Sequence, residues 1–196
     1  MSNDANKIVL LADIADIRPG YPFRTAIKES PDGEAAVVQI KNVHADSGID
    51  WTGVVRTELI GRRKPDWLQQ GDILFTARGT RNAAASVEPA PIKAVSAPHL
   101  FVIRLTANDQ ATPDFIAWLM NQGEAQYYFS QAATGSYIKS IRKQVLQELP
   151  LRLPSIEKQQ LIVRFDNAAR QERKLLGQLI ENRKQQLKLV AQNLMD

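Results

Sequence analysis

Residues Leu149 to Val163 read LPLRLPSIEKQQLIV, and this stretch joins two different kinds of chain. Pro150 and Pro154 hold its first part extended, because proline fixes its own φ and pushes the preceding residue toward the β or polyproline region. Ser155 then stands as the cap of a helix. Its hydroxyl is placed to accept from the freed amides of the first turn, and Glu157 puts a carboxylate at the positive end of the helix dipole. From Ser155 to Leu194 there is no proline and only one glycine, Gly177. A helix of about 40 residues at roughly 1.5 Å each spans on the order of 60 Å.

Apolar residues recur along this helix in steps of three and four: Phe165, Ala169, Leu176, Leu179, Leu187, Val190 and Leu194, with Glu172 and Arg183 interrupting the row. Such a stripe asks for a partner helix, or for the chain's own globular part. Length favours the partner, since a domain of about 150 residues covers only part of such a helix. These seven residues are therefore the expected dimerisation face.

The 196 residues allow one good-sized domain plus an extension, and 44% hydrophobic content is ordinary for a folded protein. Without cysteine there is neither a disulfide framework nor a thiolate metal site, and two histidines, His44 and His99, are too few for a metal centre of their own. No metal and no cofactor are expected. There is no run of 18 apolar residues, and the opening MSNDANK lacks a signal-peptide core, so a cytoplasmic protein with no membrane contact is expected.

The net charge is +4, and its placement is more informative than its size. Residues 1 to 150 hold 16 Lys plus Arg against 16 Asp plus Glu, leaving the excess of 9 over 5 in the rest of the chain. Residues 51 to 104 nevertheless carry 8 basic against 4 acidic side chains, and Lys139, Arg142 and Lys143 form a second basic cluster. Localised basic patches suit a polyanion, although a solvated surface accounts for them equally well.

The first part of the chain reads as β followed by α. Ile8 to Ile17 opens as a short strand passing into a turn or short helix. Ala36 to Val43 alternates as a strand, with Val38 and Ile40 on one face. A further strand is expected near Trp51 to Val55. Leu68 to Thr76 sets a Gly-Asp turn before a buried strand, and Leu100 to Leu105 is the clearest and most central strand. At Thr112 the pattern changes to a capped helix with Pro113 at its first position and Phe115, Trp118 and Leu119 on one face. A second helix covers Glu124 to Gln131, where Tyr127 and Tyr128 are expected in the core, and a short helix begins near Ser140.

Catalytic constellations are missing. The Pro-Asp pairs at Pro31, Pro65 and Pro113 are scattered at turns and caps, which is not the clustered carboxylate set of a metal-dependent nuclease. There is no Gly-x-Ser-x-Gly elbow, no Lys-Ser/Thr after Gly71 or Gly79 to make a phosphate loop, and no methyltransferase cofactor pattern. What remains is two basic loops. Arg78, Thr80, Arg81 and Asn82 lie in one; Ser136, Tyr137, Lys139, Arg142 and Lys143 lie in or beside the other. Arginine pairs with guanine and asparagine with adenine, while lysine, serine and threonine hold phosphates, so these nine residues are the candidate DNA contacts. Ordinary exposed loops would also contain them.

In order, LADIADIRPG (Leu11 to Gly20), VVQIKNV (Val37 to Val43), LQQGDILFTARGT (Leu68 to Thr80), GSYIKSI (Gly135 to Ile141) and LPLRLPSIEKQQLIV resemble the specificity subunit of type I restriction-modification systems. The family's adjacent Glu-Gln at the helix start is interrupted here by Lys158. The resemblance implies an α+β target recognition domain with a mixed or antiparallel sheet and short helices, residues 1 to 150, followed by a long coiled-coil-forming helix, residues 151 to 196. It implies no active site in this chain and, as partners, double-stranded DNA and DNA adenine methyltransferase subunits; a restriction subunit is left open. A full subunit of that family resembles two such units in tandem with their helices packed antiparallel. The single unit here is thus expected to pair with a second copy as a half-subunit. A scaffold or antagonist that keeps the fold without reading DNA is the other reading that the modest charge allows.

Overall fold

The computed structural model describes residues 7–59, 64–79, 82–90, 92–135 and 140–195. In chain order the elements are β1 (Lys7–Leu10), α1 (Leu11–Ile14), β2 (Ala15–Pro19), β3 (Ala35–Val38), β4 (Val43–His44), β5 (Gly48–Ile49), β6 (Val55–Thr57), β7 (Ile73–Thr76), β8 (Ala84–Ser86), β9 (Ala94–Ser96), β10 (Leu100–Leu105), α2 (Pro113–Met120), α3 (Gly123–Ala132), α4 (Lys143–Gln147), β11 (Pro150–Leu153) and α5 (Ile156–Met195). The fold is α+β. Contacts divide the chain into two compact units, Met1–Gln160 and Leu161–Asp196.

The first unit is built on two sheets. A four-stranded antiparallel sheet runs β2-β10-β7-β8, with β10 inside it, and a mixed three-stranded sheet runs β6-β3-β9 with β3 parallel to β9. Ala36, Val38 and Ala94 of the second sheet pack with Leu74, Ala85, Leu100 and Val102 of the first. The opposite face of the four-stranded sheet is covered by helices: Phe75 lies 4.9 Å, ring to ring, from Phe129 of α3. Burial on both faces explains why Ile73–Thr76 is a continuous buried run rather than an alternating one. Asn121 ties α2 to β8, its Oδ1 accepting from the Ala84 amide at 2.9 Å and its Nδ2 donating to the Ala84 carbonyl at 2.8 Å.

Gly20 shows why the LADIADIRPG stretch ends as it does. Its amide donates to the Leu100 carbonyl at 2.9 Å, and a Cβ there would stand 2.0 Å from the Ala97 carbonyl oxygen. Only a residue without a side chain fits between β2 and the β9–β10 turn.

Several elements differ from the sequence reading, each for a local reason. The strand expected over Ala36 to Val43 stops at Val38 and becomes a 3-10 turn at Ile40–Asn42, because Asn42 accepts the Gln39 amide through Oδ1 at 3.0 Å and closes the turn on itself. Ala35–Val38 is buried on both faces, so the expected alternation is absent. No strand covers Trp51 to Val54. Asp50 Oδ1 accepts from the Thr52 amide and hydroxyl at 3.0 and 2.7 Å and from the Gly53 amide at 3.3 Å, which folds the segment into a turn and delays β6 to Val55. Those bonds hold the Asp50 carboxyl below its usual range, the Thr52 hydroxyl contributing most.

α2 is capped as expected, Thr112 Oγ1 accepting from the Phe115 amide at 3.4 Å, but its buried face is Phe115, Ile116, Ala117 and Met120 rather than Phe115, Trp118 and Leu119. Tyr128 is half-buried and donates to the Val145 carbonyl at 3.1 Å, whereas Tyr127 is 68% exposed and not in the core. The short helix begins at Lys143 instead of near Ser140, since Ser140 is taken up by strand-like bridges to Thr134 and Arg78.

β1 and β11 form a two-stranded antiparallel ribbon, with Val9 opposite Leu151 on its buried side. Immediately beyond it α5 begins, and the Ser155 carbonyl accepts the Gln159 amide at 3.0 Å, as the carbonyl of a residue in the capping position does. α5 passes through Gly177 without interruption. Among the described residues no helix is long and apolar enough to cross a membrane.

Candidate nucleic-acid interface

The two basic loops meet. The loop after β7 is closed by Thr76: its amide donates to the Ala83 carbonyl at 2.9 Å and its hydroxyl accepts from the Ala83 amide at 2.7 Å. Asn82 donates from Nδ2 to the Thr76 carbonyl at 2.6 Å, so that amide nitrogen holds the loop. Gly79 takes φ +130° and lets the chain reverse. The second loop is closed by Thr134 and Ser140, whose backbones exchange bonds of 3.1 and 2.9 Å, with Gly135 at φ +114°.

Arg78 forms an antiparallel bridge to Ser140, and beside it the Ile141 amide donates to the Ala77 carbonyl at 2.8 Å. Ile141 is buried at 3% exposure and anchors the junction. The consequence is a shared edge. Arg78, Arg142 and Lys143 are exposed beside it, and none is in an ion pair with a described residue. Uncompensated cations on one edge attract a polyanion, and arginine adds a planar fork able to grip phosphate or guanine. Of the nine candidate contacts, the structure sets Arg78, Arg142 and Lys143 at or within a few residues of the bridge, while half-buried Asn82 is tied to Thr76 within its own loop. Thr80, Arg81, Ser136, Tyr137 and Lys139 lie outside the described residues.

A crevice adjoins this edge that the sequence reading missed. It is lined by Phe23, Ile27, Gln39, Ile40, Lys41 and His99 among others, and the His99 carbonyl accepts the Ala77 amide at 3.0 Å, one residue from Arg78. These residues come from three separate segments, so no local motif marks them. Among the described residues no group of three or more His, Asp or Glu converges as metal ligands would.

In the second unit, Phe165, Leu176, Leu179, Leu187, Val190 and Leu194 are each more than half exposed, and Ala169 is half-buried. Leu175 and Ile180, 54% and 57% exposed, flank the expected row and widen it to roughly 140° of the helix circumference, counting about 100° per residue. Asp166 and Arg170 pair one turn apart.

No curated protein matches the chain. Among solved structures, it is similar to a chain from work on complex assembly and conformational transition of the type I R-M system, at TM-score 0.67 and 17% identity, covering 94% of this chain and 43% of that one. It is similar also to the type I restriction-modification S subunit from M. genitalium, at TM-score 0.59 and 15% identity over 92% of this chain and 43% of that one. A third is the HsdS subunit from Thermoanaerobacter tengcongensis, at TM-score 0.62 and 18% identity over 88% of this chain and 39% of that one. The chain thus spans less than half the length of the solved chains it matches. A family model for the type I restriction modification DNA specificity domain matches residues 3–182, and the chain belongs to that family.

Proposed function

We propose that this chain is one recognition unit of a type I specificity subunit: residues 1 to 150 read half of a split DNA site, and residues 151 to 196 form the helix through which two copies pair. The observation that carries the reading is the Arg78–Ser140 bridge, which unites two basic loops on one edge with Arg78, Arg142 and Lys143 exposed. Family membership supports it independently. In this reading the chain catalyses nothing and docks DNA adenine methyltransferase subunits that carry the chemistry.

The two roles divide between the units. Arg78, Thr80, Arg81, Asn82, Ser136, Tyr137, Lys139, Arg142 and Lys143 contact the duplex, the cations giving salt-dependent affinity and the arginines base readout. Phe165, Ala169, Leu176, Leu179, Leu187, Val190 and Leu194 bury their faces against a second copy, closing a two-fold dimer. Two recognition units related by a dyad read inverted half-sites.

The test is selection of bound duplexes from a random library with the purified full chain, followed by sequencing. An enriched interrupted palindrome is expected, with affinity falling as salt rises. Enrichment of no sequence would overturn DNA recognition, and an asymmetric site would overturn the dyad.

A further inference from the structure

β3 and β9 run parallel, with Ala36 opposite Ala94 and Val38 opposite Ser96, so both chains leave their sheet at the same end. After Val38 the first turns off into the 3-10 turn at Ile40–Asn42. After Ser96 the second reverses at Ala97, whose carbonyl accepts the Leu100 amide at 3.1 Å, and enters β10. Where the two diverge, a crevice of about 610 Å³ opens.

Its lining has a definite chemistry. Phe23, Ile27 and Ile40 are half-buried and give it apolar walls, while Gln39, Lys41 and His99 supply polar groups, and among the described residues no acidic side chain lines it. The volume falls in the range of sites for small organic ligands, roughly 300 to 1,000 Å³. The His99 carbonyl accepts the Ala77 amide at 3.0 Å, which sets one lining residue of the crevice one position from Arg78 in the neighbouring strand.

We propose that this crevice receives one nucleobase unstacked from the bound duplex. The proposal rests on the DNA-recognition reading above and adds to it a specific occupant. A nucleobase is planar and apolar on its faces but polar at its edge, which matches apolar walls, an aromatic ring and a glutamine able both to donate and to accept. Phe23 lies against the face of the base, Gln39 reads its edge, and Lys41 and His99 at the exposed rim hold the flanking phosphates. The Lys41 ammonium, with no carboxylate beside it in the lining among the described residues, suits a ligand that arrives inside a polyanion.

The experiment uses the full chain and its selected duplex, with 2-aminopurine substituted for each purine in turn on both strands, so that every base pair is sampled. Binding of the wild type is expected to raise fluorescence several-fold at one position. Ala26 is exposed at the crevice, so Ala26→Trp fills the space without disturbing the core. That variant is expected to keep DNA binding and its salt dependence but to lose the fluorescence rise. Gln39→Ala is expected to keep the rise and relax base preference at that position alone. Binding with no rise anywhere, or a rise that persists undiminished in Ala26→Trp, overturns the proposal while leaving DNA recognition intact; absence of DNA binding by the wild type overturns both.

Discussion

Gln159 reaches from the first turns of α5 to Thr112, the cap of α2: its Oε1 accepts the Thr112 amide at 3.0 Å. Its Nε2 donates to the Gln110 carbonyl at 2.8 Å and the Pro154 carbonyl at 2.9 Å, and the residue is 0% exposed. One side chain thereby satisfies a donor and two acceptors that no helix or sheet ladder reaches.

Replacing Gln159 by Leu should therefore cost at least about 2 kcal/mol, since a buried backbone group left unpaired costs roughly 1–3 kcal/mol. Urea denaturation measures this. A loss below about 0.5 kcal/mol, the range of ordinary surface substitutions, would mean that water replaces the side chain.

Alanine at Arg78, Arg142 or Lys143 should each lower the slope of log K against log salt by about 0.9 on the duplex selected by the chain. Thermal unfolding should be unchanged, because all three side chains are exposed. Slopes unaltered in all three variants would place the phosphate contacts elsewhere.

Arg104 grips Asp72 with both prongs, Nε to Oδ1 at 2.6 Å and a terminal nitrogen to Oδ2 at 2.7 Å, and Asp72 is only 1% exposed. Donating to the Asp72 carboxylate raises the Arg104 pKa above its ordinary value. Arg104→Met leaves a buried carboxylate without its cation and should destabilise by about 3–5 kcal/mol. Adding Asp72→Asn should recover a large part of that, as a double-mutant cycle by chemical denaturation will measure.

Tyr128 is held above the ordinary phenol range, first by burial and then by the charge of Glu148. A raised folded pKa means stability fully present below the unfolded tyrosine value and lost as pH rises through the folded one. Tyr128→Phe should cost about 1 kcal/mol at neutral pH through its lost hydrogen bond. It should also flatten the decline in stability that sets in above about pH 10. Denaturation at several alkaline pH values tests both.

Changing Leu176, Leu179 and Leu187 together to Ser should convert a dimer to monomers in sedimentation equilibrium. The recognition unit should stay folded, with full-site affinity reduced. A wild-type chain that is monomeric at micromolar concentration without partners would count against pairing through α5.

Much of this architecture was legible because its signals are local. Thr112-Pro113-Asp114 announces α2, Gly71-Asp72 announces β7, and the proline-free run after Pro154 announces α5. The failures come from side chains that rewrite the backbone over three residues: Asn42 and Asp50 turn apparent strands into a 3-10 turn and a loop. Tyr127 and Tyr128 could not be told apart, because only tertiary packing decides which one faces Val145. The basic loops were visible as composition, but their meeting at Ser140 was not, since residues 62 positions apart are joined by backbone alone. The crevice was invisible, its residues being single members of unremarkable segments.

That Arg78–Ser140 bridge has a consequence for engineering. A chimaera that imports residues 77 to 82 from a relative brings one half of a paired edge and keeps the other, so the register between Ala77 and Ile141 must be rebuilt by two sequences never fitted to each other. Retargeting by exchange of single loops should accordingly fail more often than exchange of everything between β7 and α4, and specificity should behave in design as one transferable block.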